Sequence, residues 1–186
     1  MRVSRCSTVC ALVLLLPARL SAQGPGAFDL GLGASHLFSN AASVRGTTGM
    51  ALGLGYRIGL SGVWGVRAGV ATMVGAESVA IPTCIPDGGG CFEETLVPGA
   101  LHSGELEMVL APRGAEWLRL GAGPGFVWAP GARGANRTSL ALTGSVAVVV
   151  PVEWGARPML RLQATELRDP IGVIRWAGRA TLGVVL

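Results

Sequence analysis

Lysine is missing from this chain, and charge of either sign is scarce. All 15 basic residues are arginines, and charged residues make up 14 % of the 186 positions. Aromatic residues account for only 5 %, and the mean hydropathy of +0.52 is high for a soluble protein. The arginines are spread singly along the sequence rather than clustered, so nothing indicates a nucleic-acid partner.

A long hydrophobic run is also lacking. A membrane-spanning helix needs roughly 20 consecutive apolar residues, and the longest candidate, residues 140–152, is too short and contains Thr143, Gly144, Ser145 and Pro151. High hydropathy without a spanning helix leaves two explanations, a very apolar soluble core or membrane strands. The pattern along the chain favours membrane strands.

The N-terminus explains part of the hydropathy. A basic start is followed by an apolar run over residues 11–16 and by a small-residue cleavage site before Gln23. This order is typical of a secretory signal peptide, and it predicts a signal peptide over residues 1–22 and a single domain over residues 23–186. Three of the arginines lie in the predicted signal peptide. The predicted mature chain therefore has 12 arginines and 11 acidic residues, a formal net charge of +1.

Cysteine is nearly absent from the predicted mature chain. Only Cys84 and Cys91 remain there, with a turn-rich segment between them. In an exported chain such a pair predicts a disulfide that closes a small loop. The alternative is half of a metal site, but no second Cys pair or His cluster is present to complete four ligands, and we expect no metal and no cofactor.

The clearest pattern lies in residues 49–75, where side chains alternate between two unlike faces. One face carries large apolar residues such as Leu52 and Leu54, and the other carries glycines, alanines and single arginines such as Arg57. A short Ser61-Gly62 connection separates two such runs, which predicts a β-hairpin. Small residues around isolated charges indicate the crowded interior of a narrow barrel, with the apolar face turned outward to lipid.

The same alternation recurs along the chain and predicts eight strands. Their positions are near residues 28–35, 50–60, 64–71, 100–111, 116–128, 138–150, 160–165 and 174–186. An even number of strands of this length is typical of a tilted, antiparallel up-and-down membrane barrel. The connections alternate between long and short, as outer loops and periplasmic turns do, and the longest predicted loops are 37–48 and 76–99.

Three features depart from this pattern. Pro124 lies inside the fifth strand, where its missing N–H predicts a bulge or break. Trp117 falls on the inward face by parity. The chain ends in Leu186, which is apolar and outward-facing but not aromatic.

Signal peptide, eight alternating strands and an apolar last strand together resemble the small eight-stranded outer-membrane barrels of the OmpA/OmpX type and, more loosely, the opacity-type surface proteins. The resemblance covers residues 26–186 and is architectural. It implies an all-β transmembrane barrel in the bacterial outer membrane, in contact with membrane lipid, monomeric, and handled by the barrel-insertion machinery through its C-terminal strand.

Most charged residues of the predicted strands fall at positions whose side chains face the barrel interior. In so narrow a barrel, opposite charges must pair or bear a desolvation penalty of several kcal/mol per ion. We therefore predict an interior network of ion pairs formed by Asp29, Arg57, Arg67, Glu105, Glu107, Arg119, Arg161, Arg175 and Arg179. Because arginines outnumber acids there, a small anion-preferring passage is an alternative, although eight strands leave little room for a pore.

Aromatic residues are predicted to anchor the barrel at the two membrane interfaces. They are Phe28, Tyr56, Trp64, Trp128, Trp154 and Trp176.

Enzyme chemistry has one candidate constellation, since His102, Ser103 and Glu105 lie close in sequence and some small barrels act on lipid A. Neighbouring strand residues point to opposite faces, so His102 and Ser103 are not expected to converge. We predict no catalytic residues, and instead a structural or surface-interaction role with any partner contacts on loops 37–48 and 76–99. A secreted soluble barrel that binds an apolar ligand, with the Leu/Val face inside, is the other alternative.

Overall fold

The structure is a computed structural model, and it describes residues 26–40, 46–75, 79–84, 91–130, 137–152 and 155–186. These residues form β1 (Ala27–Ser39), β2 (Thr47–Gly59), β3 (Trp64–Val74), β4 (Val79–Cys84), β5 (Cys91–Val97), β6 (Leu101–Leu110), β7 (Leu118–Trp128), β8 (Thr138–Val149), β9 (Arg157–Ile171) and β10 (Ile174–Val185). Within these ranges no helix is long and apolar enough to cross a membrane. The predicted signal peptide, residues 1–22, lies outside the described residues.

Eight of the strands form one closed antiparallel barrel, in the order β1-β10-β9-β8-β7-β6-β3-β2. The first and last strands complete the ring, because β1 pairs with β10 from Asp29↔Val185 onwards. Beyond that register, Phe28 and Leu186 exchange two backbone hydrogen bonds of 3.1 and 2.9 Å. The predicted all-β, eight-stranded up-and-down barrel is therefore confirmed.

The two remaining strands, β4 and β5, form a separate hairpin inserted between β3 and β6. This corrects the sequence prediction, which treated residues 76–99 as a loop. Seven of the 24 residues of that segment are proline or glycine and interrupt its alternation, but Cys84 and Cys91 pair across the hairpin and are joined by a disulfide. We call the barrel end from which this hairpin extends the hairpin end, and the opposite end, where Ala27 and Val185 lie, the terminal end.

Strands at the hairpin end are longer than predicted. β1 continues to Ser39 and β2 begins at Thr47, so both strands extend into the predicted loop 37–48. Residues 41–45 lie outside the described part of the chain. Residues 168–171, which lie between the predicted strands 160–165 and 174–186, belong to β9, which reaches Ile171 and connects to β10 through a two-residue turn with Gly172 at φ 61°. The added residues of β1 and β2 keep the inward and outward alternation of the strands below them, whereas Arg168, Asp169 and Pro170 of β9 are all exposed.

Of the bulge or break predicted at Pro124, the structure has a break in one ladder and no bulge. β7 keeps an unbroken register with β8 through Pro124↔Leu142. Towards β6 the ladder lacks pairs between Glu105↔Gly125 and Met108↔Ala122, yet the register on the two sides of the gap is the same. The missing N–H of proline is thus accommodated by a local gap in one ladder without an inserted residue.

The faces of the barrel are as the alternation predicts. Leu52 and Leu162 are 48 % and 51 % exposed on the outside, whereas Arg67 is 3 % exposed inside. The soluble-barrel alternative, which required the Leu/Val face to form the core, is therefore wrong. The interior instead has three layers, with charged side chains in the middle and an apolar cluster at each end.

Candidate functional site

The charged middle layer of the barrel is the candidate functional site, and Arg67 of β3 is its centre. Nε and Nη2 of Arg67 donate hydrogen bonds to the two carboxylate oxygens of Asp29, at 2.8 and 2.7 Å. Nη1 donates to Glu105 Oε1 at 2.5 Å and lies 3.5 Å from Glu107 Oε2. One guanidinium therefore joins carboxylates from β1 and β6, using the planar fork that lysine lacks.

Two glycines give this guanidinium its space. Asp29, Gly55, Gly69 and Glu105 are consecutive partners in one row across β1, β2, β3 and β6. A Cβ atom at Gly69 would lie 2.5 Å from Arg67 Nη1 and 2.8 Å from Glu105 Oε1, and one at Gly55 would also collide with the guanidinium. The glycine-rich inner face predicted from the alternation is thus the path by which Arg67 reaches across β2 to Asp29.

Glu105 is the second junction of the network. Its oxygens accept hydrogen bonds from Arg67, from Nε2 of Gln163 at 2.5 Å, and from Nη2 of Arg179 at 3.1 and 3.3 Å. Arg179 also donates to the side-chain oxygen of Gln163. Four strands therefore converge on one carboxylate that is almost completely buried.

Glu107 is the third junction, and it is fully buried. Its Oε2 accepts a hydrogen bond from Nη2 of Arg161, which also donates to Ser145 Oγ at 3.0 Å. The selection of charged residues from the sequence missed Gln163 and Ser145. Inward parity on their strands was the signal that could have found them.

Two predicted members of the network, Arg57 and Arg119, lie inside the barrel towards the terminal end but make no ion pair with a described carboxylate. Arg119 is 8 % exposed, and its Nε is buried without a hydrogen-bond partner among the described residues. Asp29, whose charge acts on both arginines, is already held at both oxygens by Arg67. Positive charge therefore exceeds negative charge at this end of the interior.

Arg175 was predicted to belong to the interior network, and this prediction is wrong. The pairing of β10 with β9 shifts between Ile174 and Trp176, which takes the intervening Arg175 off the inward row. Its side chain is 51 % exposed and forms an ion pair of 3.1 Å with Glu166 at the hairpin end. A one-residue irregularity of this kind reverses the face of a side chain and cannot be read from alternation alone.

Apolar clusters close the interior above and below the charged layer. The cluster at the hairpin end contains Leu37, Met73, Val97, Leu101, Val127, Ala129, Leu167, Ile171 and Ile174. The cluster at the terminal end contains Ala27, Ala147, Val149, Met159 and Val185. Two interior cavities between the strands have volumes of only about 30 and 10 Å³, so no open channel runs through the described barrel.

The hairpin itself completes the cluster at the hairpin end. Val97 at the end of β5 and the following Pro98 are fully buried, and Val79 at the start of β4 packs against the same cluster. Cys84 and Cys91, at the other end of the hairpin, are exposed. The base of the hairpin thus covers the mouth of the barrel, while its disulfide-linked end is accessible.

Aromatic side chains lie at both ends of the outer surface. At the terminal end Phe28 contacts Tyr56, with ring centroids 4.6 Å apart, and Trp64 is 46 % exposed. At the hairpin end Trp128 stacks on Phe126 at 5.5 Å, and Trp176 is 42 % exposed. Trp154 lies outside the described residues. Trp117, assigned inward by parity, precedes β7 and is exposed.

The candidate catalytic residues do not converge. His102 faces outward, where its Nδ1 shares a 2.7 Å hydrogen bond with Thr72 Oγ1 and its ring lies 4.8 Å from that of Trp128. Ser103 lies on the opposite face and lines an interior cavity. Glu105 is engaged in the interior network, so these three residues do not form a nucleophile, base and acid arrangement.

The outer surface between the aromatic ends defines the class of this protein. Along the barrel strands the outward positions are uncharged apart from Glu166, Arg168 and Arg175 at the hairpin end. The rise from Phe28 to Phe38 corresponds to an apolar band about 25 Å tall for a strand tilted as in membrane barrels. A closed barrel with an apolar outside and a charged inside is a transmembrane barrel, and this chain is a bacterial outer-membrane β-barrel.

Solved structures of outer-membrane barrels share this architecture. The chain is similar to Ail, the attachment invasion locus protein of Yersinia pestis, in its complex with the heparin analogue sucrose octasulfate, with a TM-score of 0.52 and 13 % identity over 88 % of this chain and 99 % of that one. It is also similar to a major outer membrane protein of Thermus thermophilus, with a TM-score of 0.47 and 13 % identity over 87 % and 99 % of the two chains. No protein family and no curated protein sequence matches this chain. The similarity to Ail therefore supports the fold.

Proposed function

We propose that this protein is a closed outer-membrane barrel with a structural or surface-interaction role, and that it displays the β4–β5 hairpin on the cell surface. The observation that carries the proposal is the three-layer interior. Charged side chains fix the middle of the barrel, and apolar clusters, one of them completed by the hairpin base, close both ends. A molecule built in this way supports an exposed element and does not conduct.

The interior also argues against the anion-preferring passage. An ion moving along the axis would have to separate Arg67 from Asp29 and Glu105, and each of these side chains is at most 7 % exposed. Separating a buried ion pair leaves uncompensated charge and costs about 3–5 kcal/mol. The pore alternative therefore lacks a path, and the arginines act as bridges between strands.

The outward side chains support the remaining assignments. The apolar band between the aromatic ends is continuous around the described barrel, which fits a monomer surrounded by lipid. β10 ends in the exposed, apolar Leu186, and we propose that this strand is the one engaged by the barrel-insertion machinery. Catalysis is not part of the proposal, because His102 and Ser103 lie on opposite faces of β6.

Two measurements on the refolded full chain test this function. Folded membrane barrels resist SDS at room temperature, so we expect the electrophoretic mobility to change on boiling. In planar lipid bilayers we expect no steady single-channel current. A single band unchanged by boiling would contradict the membrane barrel, whereas reproducible anion-selective channels from the heat-modifiable form would contradict the closed interior and restore the pore.

A further inference from the structure

The terminal end of the barrel interior holds arginines without acids to neutralise them. Arg57 of β2 and Arg119 of β7 line one small cavity together with Asp29, Ser145 and Arg161. Both oxygens of Asp29 are bound by Arg67, and Arg161 is paired with Glu107. Among the described residues, no carboxylate forms an ion pair with Arg57 or Arg119.

The positive charges at this end also act on one another. The positive charges of Arg57, Arg157 and Arg161 repel the charge of Arg119. Asp29 is the acid that attracts it. Arg119 is more than nine-tenths buried. Like charges brought together away from water destabilise a fold unless a counter-charge is present.

Two of the residues that line this cavity have hydrogen-bond donors without partners in the described part of the chain. Nε of Arg119 and Nε of Arg161 are buried and have no partner among the residues that the structure describes. Ser145 Oγ accepts a hydrogen bond from Arg161 at 3.0 Å, which leaves the hydroxyl proton of Ser145 available for donation. The cavity is therefore lined by donors of both charged and neutral type.

The size of the cavity limits what such donors can hold. Its volume is about 10 Å³, and roughly 10–15 Å³ on this measure accommodates one water-sized particle. Phosphate, sulfate and organic carboxylates are larger than this. A monatomic anion is smaller than any of these, and it carries the charge that this end of the interior lacks.

We propose that Arg57 and Arg119 hold one chloride ion in this cavity, as a structural counter-ion. The ion neutralises the excess positive charge of the terminal end and accepts hydrogen bonds from the unpaired donors. It stays in place because the apolar cluster of Ala27, Met159 and Val185 lies at the same end and the Arg67 network lies above it. The site is thus a static one, distinct from a conduction path.

Thermal unfolding in detergent micelles tests the site, with sodium chloride exchanged for sodium gluconate at constant ionic strength. A ligand that binds only the folded state raises the unfolding midpoint with the logarithm of its concentration. For a chain of this size we expect the midpoint of the parent protein to rise by about 5 °C or more as chloride reaches a hundredfold excess over its dissociation constant. Gluconate, which exceeds the cavity, should give no rise.

Two variants make this experiment specific. Arg119→Gln removes the buried charge, so we expect the chloride dependence to disappear and the midpoint in gluconate to equal or exceed that of the parent. Arg113→Gln removes the same charge from an exposed turn at the terminal end, and its chloride dependence should match the parent. A parent protein that is insensitive to chloride, or an Arg119→Gln variant that keeps the full dependence, would overturn the proposal.

Bromide provides a readout that needs no variant, so a folding failure of Arg119→Gln would not leave the matter open. Crystals of the parent protein grown in sodium bromide should show an anomalous peak between the guanidinium groups of Arg57 and Arg119. Anomalous peaks confined to the outer surface would mean an adventitious ion only, and would refute the site.

Discussion

At the scale of single residues, the chain uses only arginine for its cationic side chains, whereas most proteins use both arginine and lysine. Arg67 satisfies three carboxylates through one planar group, and a lysine could not donate in the same fixed directions. Gly55 and Gly69 are the other half of this arrangement, because any side chain there would displace the guanidinium. Arg67 and these two glycines thus depend on one another.

We predict that Arg67→Met lowers the free energy of unfolding by about 3–5 kcal/mol, since it leaves the buried Asp29 and Glu105 without their shared partner. Urea unfolding of the refolded protein in detergent micelles, followed by tryptophan fluorescence, measures the change. Arg113→Met, at an exposed turn, is the matched control and should stay within about 0.5 kcal/mol of the parent. A loss below about 1 kcal/mol for Arg67→Met would show that the network contributes little to stability.

Arg175 apart, the sequence predicted which charged residues face inward but not how they pair. Parity on one strand is local, and it assigned Arg67, Glu105 and Asp29 to the interior without any three-dimensional information. Their pairing depends on the stagger between strands, which decides which side chains share a height on the barrel axis. Asp29 and Arg67 come from strands that are not neighbours in the barrel, so no pairwise pattern in the sequence connects them.

At the scale of elements, the departures from prediction concentrate at the hairpin end. Leu37 lies in a predicted loop and Ile171 lies between two predicted strands, yet both are buried in the apolar cluster that closes this end. The β4–β5 hairpin was hidden by its proline and glycine content, and the shift in β10 reversed Arg175. Above the membrane the strands no longer have a lipid-facing side, so the alternation that identifies them weakens.

We predict that the β4–β5 hairpin is exposed on the outside of the cell. In intact cells, after reduction, a polymer-linked maleimide too large to cross the outer membrane should label Cys84 and Cys91, because both are exposed at the far end of the hairpin. A variant carrying Cys84→Ser, Cys91→Ser and Ser61→Cys moves the only thiol of the predicted mature chain to a turn at the terminal end. That variant should be labelled only after the cells are broken, and the reverse pattern would invert the proposed orientation.

At the scale of the whole molecule, the barrel has the reverse of the polar and apolar arrangement found in a soluble protein. Its charges and hydrogen-bonding side chains occupy the centre, and its leucines cover the surface between two aromatic ends. This arrangement was the most predictable feature of the chain, because a period of two is carried by every strand and repeated eight times around the ring. A local error on one strand does not change it.

We predict that a charge placed on this surface is penalised according to its depth. Leu52→Arg lies at the middle of β2 and should lower the free energy of unfolding by about 2–4 kcal/mol in lipid vesicles. Leu60→Arg, in the turn that follows β2 and equally exposed to the surroundings, should cost about 0–1 kcal/mol because it lies near the interface. Equal effects of the two substitutions in vesicles would contradict the membrane orientation.

The seam between β1 and β10 has a consequence for how the barrel is assembled. Its backbone bonds join Phe28 to Leu186, so the first strand keeps a bare edge until the last one has been delivered. Loss of β10 would therefore leave an open sheet and not a narrower barrel. Such a sheet has two edge strands with unpaired backbone groups, which cannot be satisfied in lipid and can pair with other chains. For this molecule, closure is an all-or-nothing event decided by β10.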